Sequence, residues 1–285
     1  MRLKIIQERL DQYKVTSWQE EEKALKEIFQ ELALAGFART DFFKKSIFQG
    51  GTALRILYTS ERFSEDLDFV LKKPNKKFQL SAYLKILEAE FETYGIAMEA
   101  EDRSKVADVV QKAFLKETSL GGSLILKHFP QSGPPKKIRI KLEIDTNPPK
   151  GSQFETKYLD FPFPFAVTVQ DPPSLFASKS HALLCREYVK GRDWYDFLWY
   201  VSRKTPLNFN LLTHACHQQG PWASVKIKAD KKWFLEKMEE KIKGLDWKAA
   251  KKDVARFLKP NDLIILKLWG EDFFIDRLKK LGEYL

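Results

Sequence analysis

Two aspartates one residue apart, Asp66 and Asp68, open the apolar run DLDFVL. Side chains alternate between the two faces of a β-strand, so this spacing puts both carboxylates on one face and directs Leu67 and Phe69 into a core. Two like charges this close repel each other unless a cation bridges them. Carboxylate oxygens shared with substrate phosphates are ligands that suit Mg²⁺. The pair therefore predicts a magnesium site, and its ordinary alternative is a solvated pair at a strand edge.

A Gly-Gly turn lies upstream of the aspartates. Gly50 and Gly51 follow a short apolar strand over residues 46–49 and precede a helical run over residues 53–59, with Thr52 where a helix N-cap belongs. The first turn of a helix presents free N–H groups and the positive end of the helix dipole, which together bind phosphate. Placed beside a metal-binding carboxylate pair, this turn predicts a site for in-line phosphoryl transfer with two metal ions.

A second acidic strand is predicted over residues 138–144, where apolar and polar residues alternate. Loop signals bracket it at residues 133–135 and 147–149, both of which combine proline with glycine or asparagine. A strand of this kind next to the first one would complete the carboxylate site.

The third metal ligand is expected from this second strand, where Glu143 and Asp145 share one face. Each has an alternative role. Asp145 could cap a turn at Asn147, and Glu143 could pair with Lys141 of its own strand. The sequence does not choose between the two acids, and we give Asp145 a small preference.

Helices are expected around these strands. The spacing of apolar residues predicts helices within residues 1–46, over 78–94 and over 105–116. After a Pro-rich stretch the pattern becomes helical, with Asp171 as the N-cap before Pro172-Pro173. We therefore predict a mixed α/β half over residues 1–170 and an all-α half over residues 171–285.

The pattern of these residues resembles a known family. Residues 50–55 (GGTALR) followed by 62–69 (RFSEDLDF) are similar to the AbiEii family, the nucleotidyltransferase toxins of type IV toxin–antitoxin and phage abortive-infection systems, with the MenT toxins as relatives. Residues 141–149 resemble the later acidic strand of the family, and Lys179 with residues 192–196 resembles its helical block. Thr52 replaces the serine that is common in the wider DNA polymerase beta superfamily.

The resemblance implies a fold and an activity. It implies a polymerase-beta-like nucleotidyltransferase core with a mixed sheet, followed by a helical domain that closes over the nucleotide. An NTP and two Mg²⁺ ions would be bound, and the NMP would pass to an acceptor hydroxyl, with tRNA or another RNA as the acceptor. A separately encoded antitoxin would neutralise the activity. The rival interpretations are transfer to a protein or a small molecule, and a nucleotide-binding scaffold without catalysis.

The resemblance also assigns roles in the second half and near the turn. Lys179 would reach the triphosphate as a point charge, and without the resemblance it reads as a solvated helix lysine. Asp193 joins Asp66, Asp68 and Lys179 as a catalytic candidate. Arg62 either binds the nucleotide or serves as counter-ion to the carboxylates.

A structural alternative exists for the second-half acids. Asp193 and Asp196 are three residues apart and share a helix face, so they could instead form an ion-pair network with Arg186 and Arg192.

Composition restricts the partners. A net charge of +10, from 49 Lys and Arg against 39 Asp and Glu, favours polyanions such as RNA and nucleotides. Cys185 and Cys216 are the only cysteines, which is too few for a disulfide scaffold and fits a cytoplasmic protein. No signal peptide, membrane span or membrane partner is expected.

His214 and His217 flank Cys216, but we reject a closed zinc site there because such a site needs four spaced ligands.

Overall fold

The computed structural model describes residues 2–104, 109–119, 128 and 138–285. The described strands are β1 Ser46–Gln49, β2 Asp66–Leu71, β3 Ala97–Asp102, β4 Val110–Ser119, β5 Arg139–Asp145, β6 Phe154–Leu159 and β7 Phe165–Gln170. The helices before β3 are α1 Arg2–Asp11, α2 Trp18–Ala38, α3 Phe42–Lys45, α4 Gly50–Tyr58 and α5 Ser81–Thr93. The helices after β7 are α6 Pro172–Cys185, α7 Gly191–Ser202, α8 Phe209–Gln218, α9 Lys231–Lys243, α10 Trp247–Ala255, a 3-10 helix Pro260–Lys267 and α11 Glu271–Gly282.

The strands form one mixed sheet in the order β3-β4-β5-β2-β1-β7-β6. Strand β2 runs parallel to β5 and antiparallel to β1, and β1 in turn runs parallel to β7. The fold is therefore α/β with a mixed sheet, as the sequence predicted. Strand β2, which carries the two aspartates, lies at the centre of the sheet.

Burial of alternate residues holds β2 in register. Leu67 is 0% exposed and Phe69 is 1% exposed, which confirms that both point into the core. The Phe69 ring packs edge-on against Phe42 and Phe37, with centroid distances of 5.0 and 5.4 Å. Each such buried side chain contributes about 1.5–3 kcal/mol. A slip of one residue would put Asp66 in this core, so the packing fixes which face the carboxylates occupy.

The helix predicted over residues 105–116 is wrong where the structure describes it, because residues 110–116 belong to β4. Ala113 and Leu115 are fully buried while Lys112 is exposed, so the segment has the two-residue period of a strand between β3 and β5. Residues 105–108, and the loop predicted at 133–135, lie outside the described residues.

Two compact units divide the chain. The first consists of Met1–Tyr58, Ser64–Pro148 and Thr156–Val169, and the second of Thr59–Phe63, Pro149–Glu155 and Gln170–Leu285. The second unit therefore takes two short segments from the part of the chain that precedes residue 170.

The second unit begins its helices as predicted. The side chain of Asp171 caps α6 by accepting a hydrogen bond of 3.0 Å from the N–H of Ser174, ahead of the two prolines of the first turn. Its core is aromatic: Trp194 is 1% exposed and packs edge-on against Trp247 and Phe274. These rings pack the core of the second unit and do not form a stacking surface for bases.

Candidate active site

The carboxylates of the candidate site lie on the face of β2 opposite the core. Asp66 and Asp68 are both half-buried, and the residues between and after them are fully packed. Antiparallel pairing with β1 places Gln49, the last residue before the Gly-Gly turn, opposite Asp68. The turn and the aspartate pair are therefore adjacent in space because β1 and β2 are neighbours in the sheet.

The register of β5 against β2 decides which second acid lies closest to the pair. Asp68 is paired with Glu143, and Val70 is paired with Asp145. Paired residues of adjacent strands share a face and lie about 5 Å apart. Glu143 is therefore the direct neighbour of Asp68, whereas Asp145 lies one pair further along, beside an apolar residue.

A lysine stands within this group of acids. Lys141 is paired with Asp66 in the sheet, and its Nζ is 2.8 Å from Glu143 Oε1. Burial opposes its charge, but the hydrogen bond to Glu143 and the charges of Asp66 and Asp68 raise the pKa of Lys141 above its ordinary value. Lys112 on β4 is 3.7 Å from the same Glu143 oxygen. Lys141 thus supplies a positive charge inside the carboxylate group and holds the side chain of Glu143.

Asp145 has a local task of its own. Its Oδ1 accepts a hydrogen bond of 2.8 Å from the main-chain N–H of Asn147, which is the turn-capping role that the sequence left as an alternative. Burial raises the pKa of Asp145 above its ordinary value, although this hydrogen bond opposes the shift. Register and hydrogen bonding therefore both favour Glu143 over Asp145 as the acid that joins the aspartate pair.

Position 50, the first residue of the turn, requires a glycine because of its main-chain conformation and because Asp68 lies next to it. Gly50 has a φ of +80°, a left-handed conformation that L side chains rarely adopt. A Cβ at this position would lie 2.5 Å from Oδ2 of Asp68 and 3.1 Å from its Cβ. The main chain of the turn therefore packs directly against the carboxylate of Asp68.

Thr52 is not an N-cap, contrary to the sequence prediction. Helix α4 begins two residues earlier, at Gly50, so Thr52 lies inside its first turn and is fully buried. Its hydroxyl donates a short hydrogen bond to the main-chain oxygen of Asp66 and lies 2.9 Å from Oγ of Ser64. Thr52 thus ties the first turn of α4 to the start of β2, and it holds the phosphate-binding turn and the carboxylate strand together.

Gly50→Ala is expected to destabilise the protein by more than Gly95→Ala. Both glycines have a left-handed φ, and this conformation alone costs an alanine about 1–2 kcal/mol. The new Cβ at residue 95 meets only the flexible side chain of Leu3, at 3.2 Å, whereas the Cβ at residue 50 meets Asp68. Equilibrium unfolding in urea measures both variants. Equal losses of stability would show that the contact with Asp68 relaxes without cost.

The donor set of the candidate site fits a hard divalent cation, because Asp66, Asp68 and Glu143 offer carboxylate oxygens on one face. The ligand atoms of these three side chains do not all lie within 4.8 Å of one another. Within the described part of the chain, the one group of three such side chains whose ligand atoms all lie within 4.8 Å of one another is a His-Cys-Cys cluster elsewhere.

A second group of charged side chains lies wholly in the second unit. Arg62 and Asp196 form a bidentate pair, with Nε 2.5 Å from Oδ1 and an Nη 2.7 Å from Oδ2. Both side chains are buried: Arg62 is 2% exposed and Asp196 is 0% exposed. Arg62 also donates to the main-chain oxygen of Phe63 at 3.0 Å. The guanidinium group is therefore engaged inside the second unit on both of its edges.

Lys179 belongs to the same group and is not a solvated helix lysine. Its Nζ lies 2.7 Å from Oδ1 of Asp193 and 2.9 Å from Oδ2 of Asp196. Arg186 pairs with the other oxygen of Asp193. The ion-pair network that the sequence offered as an alternative is thus present for Asp193, Asp196 and Arg186, with Lys179 and Arg62 as further members. The guanidinium group of Arg192, which was also expected there, lies over the ring of Phe257 at 4.2 Å.

Acid is expected to weaken the second unit through Asp193. Burial opposes its charge, but Lys179, Arg186 and Lys190 lower the pKa of Asp193 to about 2, against 3.8 for an ordinary aspartate. The folded pKa is the lower one, so this stabilisation is complete above about pH 4 and is lost as the pH falls toward 2. Urea unfolding followed by tryptophan fluorescence suits the test, since every tryptophan except Trp18 lies in the second unit.

The control for this pH dependence is Asp193→Asn, which cannot take up the proton. We expect its unfolding free energy to fall less steeply between pH 4 and pH 2 than that of the wild type. Part of the remaining slope is due to Asp196, whose pKa is also lowered. Parallel pH profiles for the two proteins would contradict the assignment to Asp193.

Lys141 had no expected role at the site beyond a possible pairing with Glu143. One signal was present, because Lys141 and Glu143 are two residues apart on a predicted strand and so share a face. What was missing was the partner strand, which brings Asp66 alongside. Lys190, which acts on Asp193, was missed for the same reason, since nothing local to it indicates a buried acid.

A known protein family matches most of this chain. The sequence model for the nucleotidyl transferase AbiEii toxin of a type IV toxin–antitoxin system matches residues 32–276. Comparison with curated proteins gives no match. None of the helices in the described part of the chain is long and apolar enough to span a membrane.

Two solved structures share the fold. JHP933 from Helicobacter pylori has a TM-score of 0.52 and 16% identity, with coverage of 92% of this chain and 91% of that one. A candidate nucleotidyltransferase from H. pylori has a TM-score of 0.50 and 16% identity, with 91% coverage of each chain. At this level of identity the likeness concerns the fold.

Proposed function

Because this chain belongs to the AbiEii family of nucleotidyltransferase toxins of type IV toxin–antitoxin systems, we propose that it transfers the NMP of an NTP to an acceptor hydroxyl in a metal-dependent reaction. The observation that supports this most directly is the arrangement on β2. Asp66 and Asp68 share a face with Glu143, and the turn at Gly50 packs against Asp68. A carboxylate group beside a helix start is what binding of a metal-bound triphosphate requires.

Asp66, Asp68 and Glu143 are the residues that would hold two Mg²⁺ ions. When bound, the ions would neutralise charge on the phosphates and activate the acceptor hydroxyl. Glu143 takes the third position in this proposal rather than Asp145, because it is the sheet neighbour of Asp68 and because Asp145 caps a turn. Lys141 is bonded to Oε1 of Glu143, so a metal ion would use the other carboxylate oxygen or displace the lysine.

The first turn of α4 would bind the phosphates. The N–H groups of Gly50, Gly51 and Thr52 lie in this turn, where main-chain donors and the helix dipole favour an anion. The buried hydroxyl of Thr52 is already bonded to Asp66, so we assign the phosphate contact of this residue to its main chain. In the reaction, the acceptor oxygen attacks the α-phosphorus, the bond to the β-phosphate breaks, and pyrophosphate and the acceptor proton leave.

Lys179 and Asp193 are proposed to act on the nucleotide as the family resemblance implies. An ammonium group has three N–H donors, and the bonds to Asp193 and Asp196 use two of them. The third donor is the one that we assign to a phosphate oxygen. Asp193 is then a positioning residue, since it acts through Lys179.

For Arg62 we propose a structural role in place of the nucleotide contact expected from the sequence. Its guanidinium group is buried, and it spans the carboxylate of Asp196 and the main-chain oxygen of Phe63. A phosphate would have to displace these partners inside the second unit.

The proposed acceptor is an RNA, with tRNA first, because the family acts as a toxin and the chain carries a net charge of +10. A toxin of this type also implies a cognate antitoxin. Transfer to a protein or a small molecule uses the same chemistry and is the alternative outcome.

The test is an incubation of the purified protein with Mg²⁺, tRNA and each NTP labelled either at the α-phosphate or at the γ-phosphate. We expect the α-label to appear in the tRNA and the γ-label to be released as pyrophosphate. Transfer of the γ-label to an acceptor would show a phosphotransferase and overturn the proposal. EDTA supplies the control for metal dependence.

The identity of the acceptor is read from a second incubation with total cell extract, fractionated into RNA, protein and small molecules. Label in protein or small molecules alone would keep the reaction and reject RNA. Absence of label from every fraction, with all four NTPs, would favour a nucleotide-binding scaffold.

A further inference from the structure

Three potential metal ligands that the proposed reaction does not use converge in the second unit. His181 and Cys185 lie one turn apart on α6, so both face α8, where Cys216 is located. One ligand atom from each of the three side chains lies within 4.8 Å of the other two. Both cysteines are free thiols.

The cluster is not the one that the sequence suggested. His214 and His217 flank Cys216 in sequence, but their ring nitrogens lie 2.8 Å from the main-chain oxygens of Asn210 and Ile227. Helical geometry explains this, since residues two before and one after Cys216 point to other sides of α8. The histidine that meets Cys216 is His181, 35 residues earlier in the numbering.

The surroundings enclose the three ligands. Cys216 is fully buried and Cys185 is half-buried. After α8 the chain turns back over the cluster, where the carbonyl oxygen of Gln219 lies 3.0 Å from His181 Nε2 and 4.0 Å from Cys185 Sγ. A Cβ on Gly220 would lie 2.7 Å from the same sulfur, so this glycine, with φ +103°, lets the main chain close on the site.

The electrostatics favour a thiolate at the centre of the cluster. A hydrogen bond from the Cys216 thiol, followed by the hydrogen bond and charge of His181, lowers the pKa of Cys185 to about 5, against the opposing effect of burial. The hydrogen bond to Cys185, burial, and the charge of the Cys185 thiolate raise the pKa of Cys216, because a second negative charge beside the first is unfavourable. A divalent cation would remove that penalty by neutralising both sulfurs.

We propose that His181, Cys185 and Cys216 bind a zinc ion, with the carbonyl oxygen of Gln219 or a water molecule in the fourth position. Two sulfurs and one imidazole are ligands that zinc prefers, and an S···S separation of about 3.8 Å follows from Zn–S bonds of about 2.3 Å in a tetrahedron. The ligand atoms therefore need to contract by no more than about 1 Å from their present limit of 4.8 Å. The binding is independent of the proposed nucleotidyl transfer.

Such a site would link α6 to the end of α8. Lys179 precedes His181 by two residues on α6, so the ion would also fix the helix that carries this lysine. Zinc that binds only the folded protein raises its stability by mass action.

The test uses the full chain, stripped of metal with a chelator and kept reduced. Zinc is titrated in competition with a chromophoric chelator, and Co²⁺ is used as a spectroscopic probe. We expect one zinc per chain and a Co²⁺ charge-transfer absorption from thiolate ligands. Melting temperature should rise by roughly 5 °C or more at free zinc about a hundredfold above Kd.

Variants separate this site from the sequence motif. Cys185→Ser and His181→Asn should each weaken zinc binding by at least about tenfold, whereas His214→Asn and His217→Asn should keep it. Circular dichroism of the metal-free variants checks the fold, and half-buried Cys185 is the safer of the two cysteines to replace. Three results would overturn the proposal. The wild type could fail to bind zinc stoichiometrically, or Cys185→Ser could bind zinc as tightly as the wild type. Zinc binding could also be lost on substitution of the two control histidines.

Discussion

Asp68→Asn is expected to reduce nucleotidyl transfer by on the order of a thousandfold or more, with little loss of stability. The substitution removes a charged oxygen ligand from the proposed metal site, and a metal ion supplies several kcal/mol of transition-state stabilisation. The fold should tolerate it because Asp68 is half-buried and the amide has nearly the same shape as the carboxylate. Removing one of two neighbouring negative charges also relieves repulsion in the metal-free protein. Transfer of α-labelled NMP measures the activity, and equilibrium unfolding measures the stability.

Glu99→Gln provides the matched control. Glu99 is an exposed acid on β3 of the same sheet, so this variant makes the same chemical change away from the site. We expect wild-type transfer from it. Asp66→Asn should behave like Asp68→Asn. Wild-type activity in both aspartate variants would remove β2 from the mechanism while leaving the family assignment intact.

Arg62→Ala is expected to destabilise the second unit by about 3–5 kcal/mol, since it leaves the carboxylate of Asp196 buried with one fewer counter-ion. The measurement is the urea unfolding transition followed by tryptophan fluorescence, without nucleotide present. Arg277→Ala is the control, because Arg277 pairs with Asp276 at the surface and such pairs contribute about 0–1 kcal/mol.

A double variant distinguishes a structural Arg62 from a nucleotide-binding one. Arg62→Met combined with Asp196→Leu removes both charges and should recover part of the stability lost in Arg62→Ala. If Arg62→Ala instead unfolds at the wild-type urea concentration but binds NTP more weakly, Arg62 is a nucleotide ligand as the sequence suggested.

The arrangement of residues on β2 was predictable because its signals are local. Asp66 and Asp68 alternate with two residues that the core buries, and the glycine turn needs only a positive φ at Gly50. The choice between Glu143 and Asp145 could not be made from the sequence near these two residues. It depends on the register of β5 against β2, and that register is set by pairing between strands more than 70 residues apart in the numbering.

The same distinction explains the other differences. Residues 110–116 contain apolar positions that suit either a helix or a strand, and pairing with β3 and β5 decides for the strand. Lys179 was predicted as a solvated lysine in the absence of a family because its helix gives no sign of the acids on α7. His181 was overlooked for the same reason, since its partner lies on α8.

The pair formed by Arg62 and Asp196 has a consequence for how the protein is synthesised. The two residues are 134 positions apart. At about 5–20 residues per second the ribosome needs roughly 7–27 s to reach the aspartate after the arginine. During this interval residues 59–63 have been synthesised, but the helices of the second unit, against which they pack, have not yet been synthesised. A truncated gene ending near residue 170 would leave the chain permanently in that condition, with an arginine whose partner is never translated.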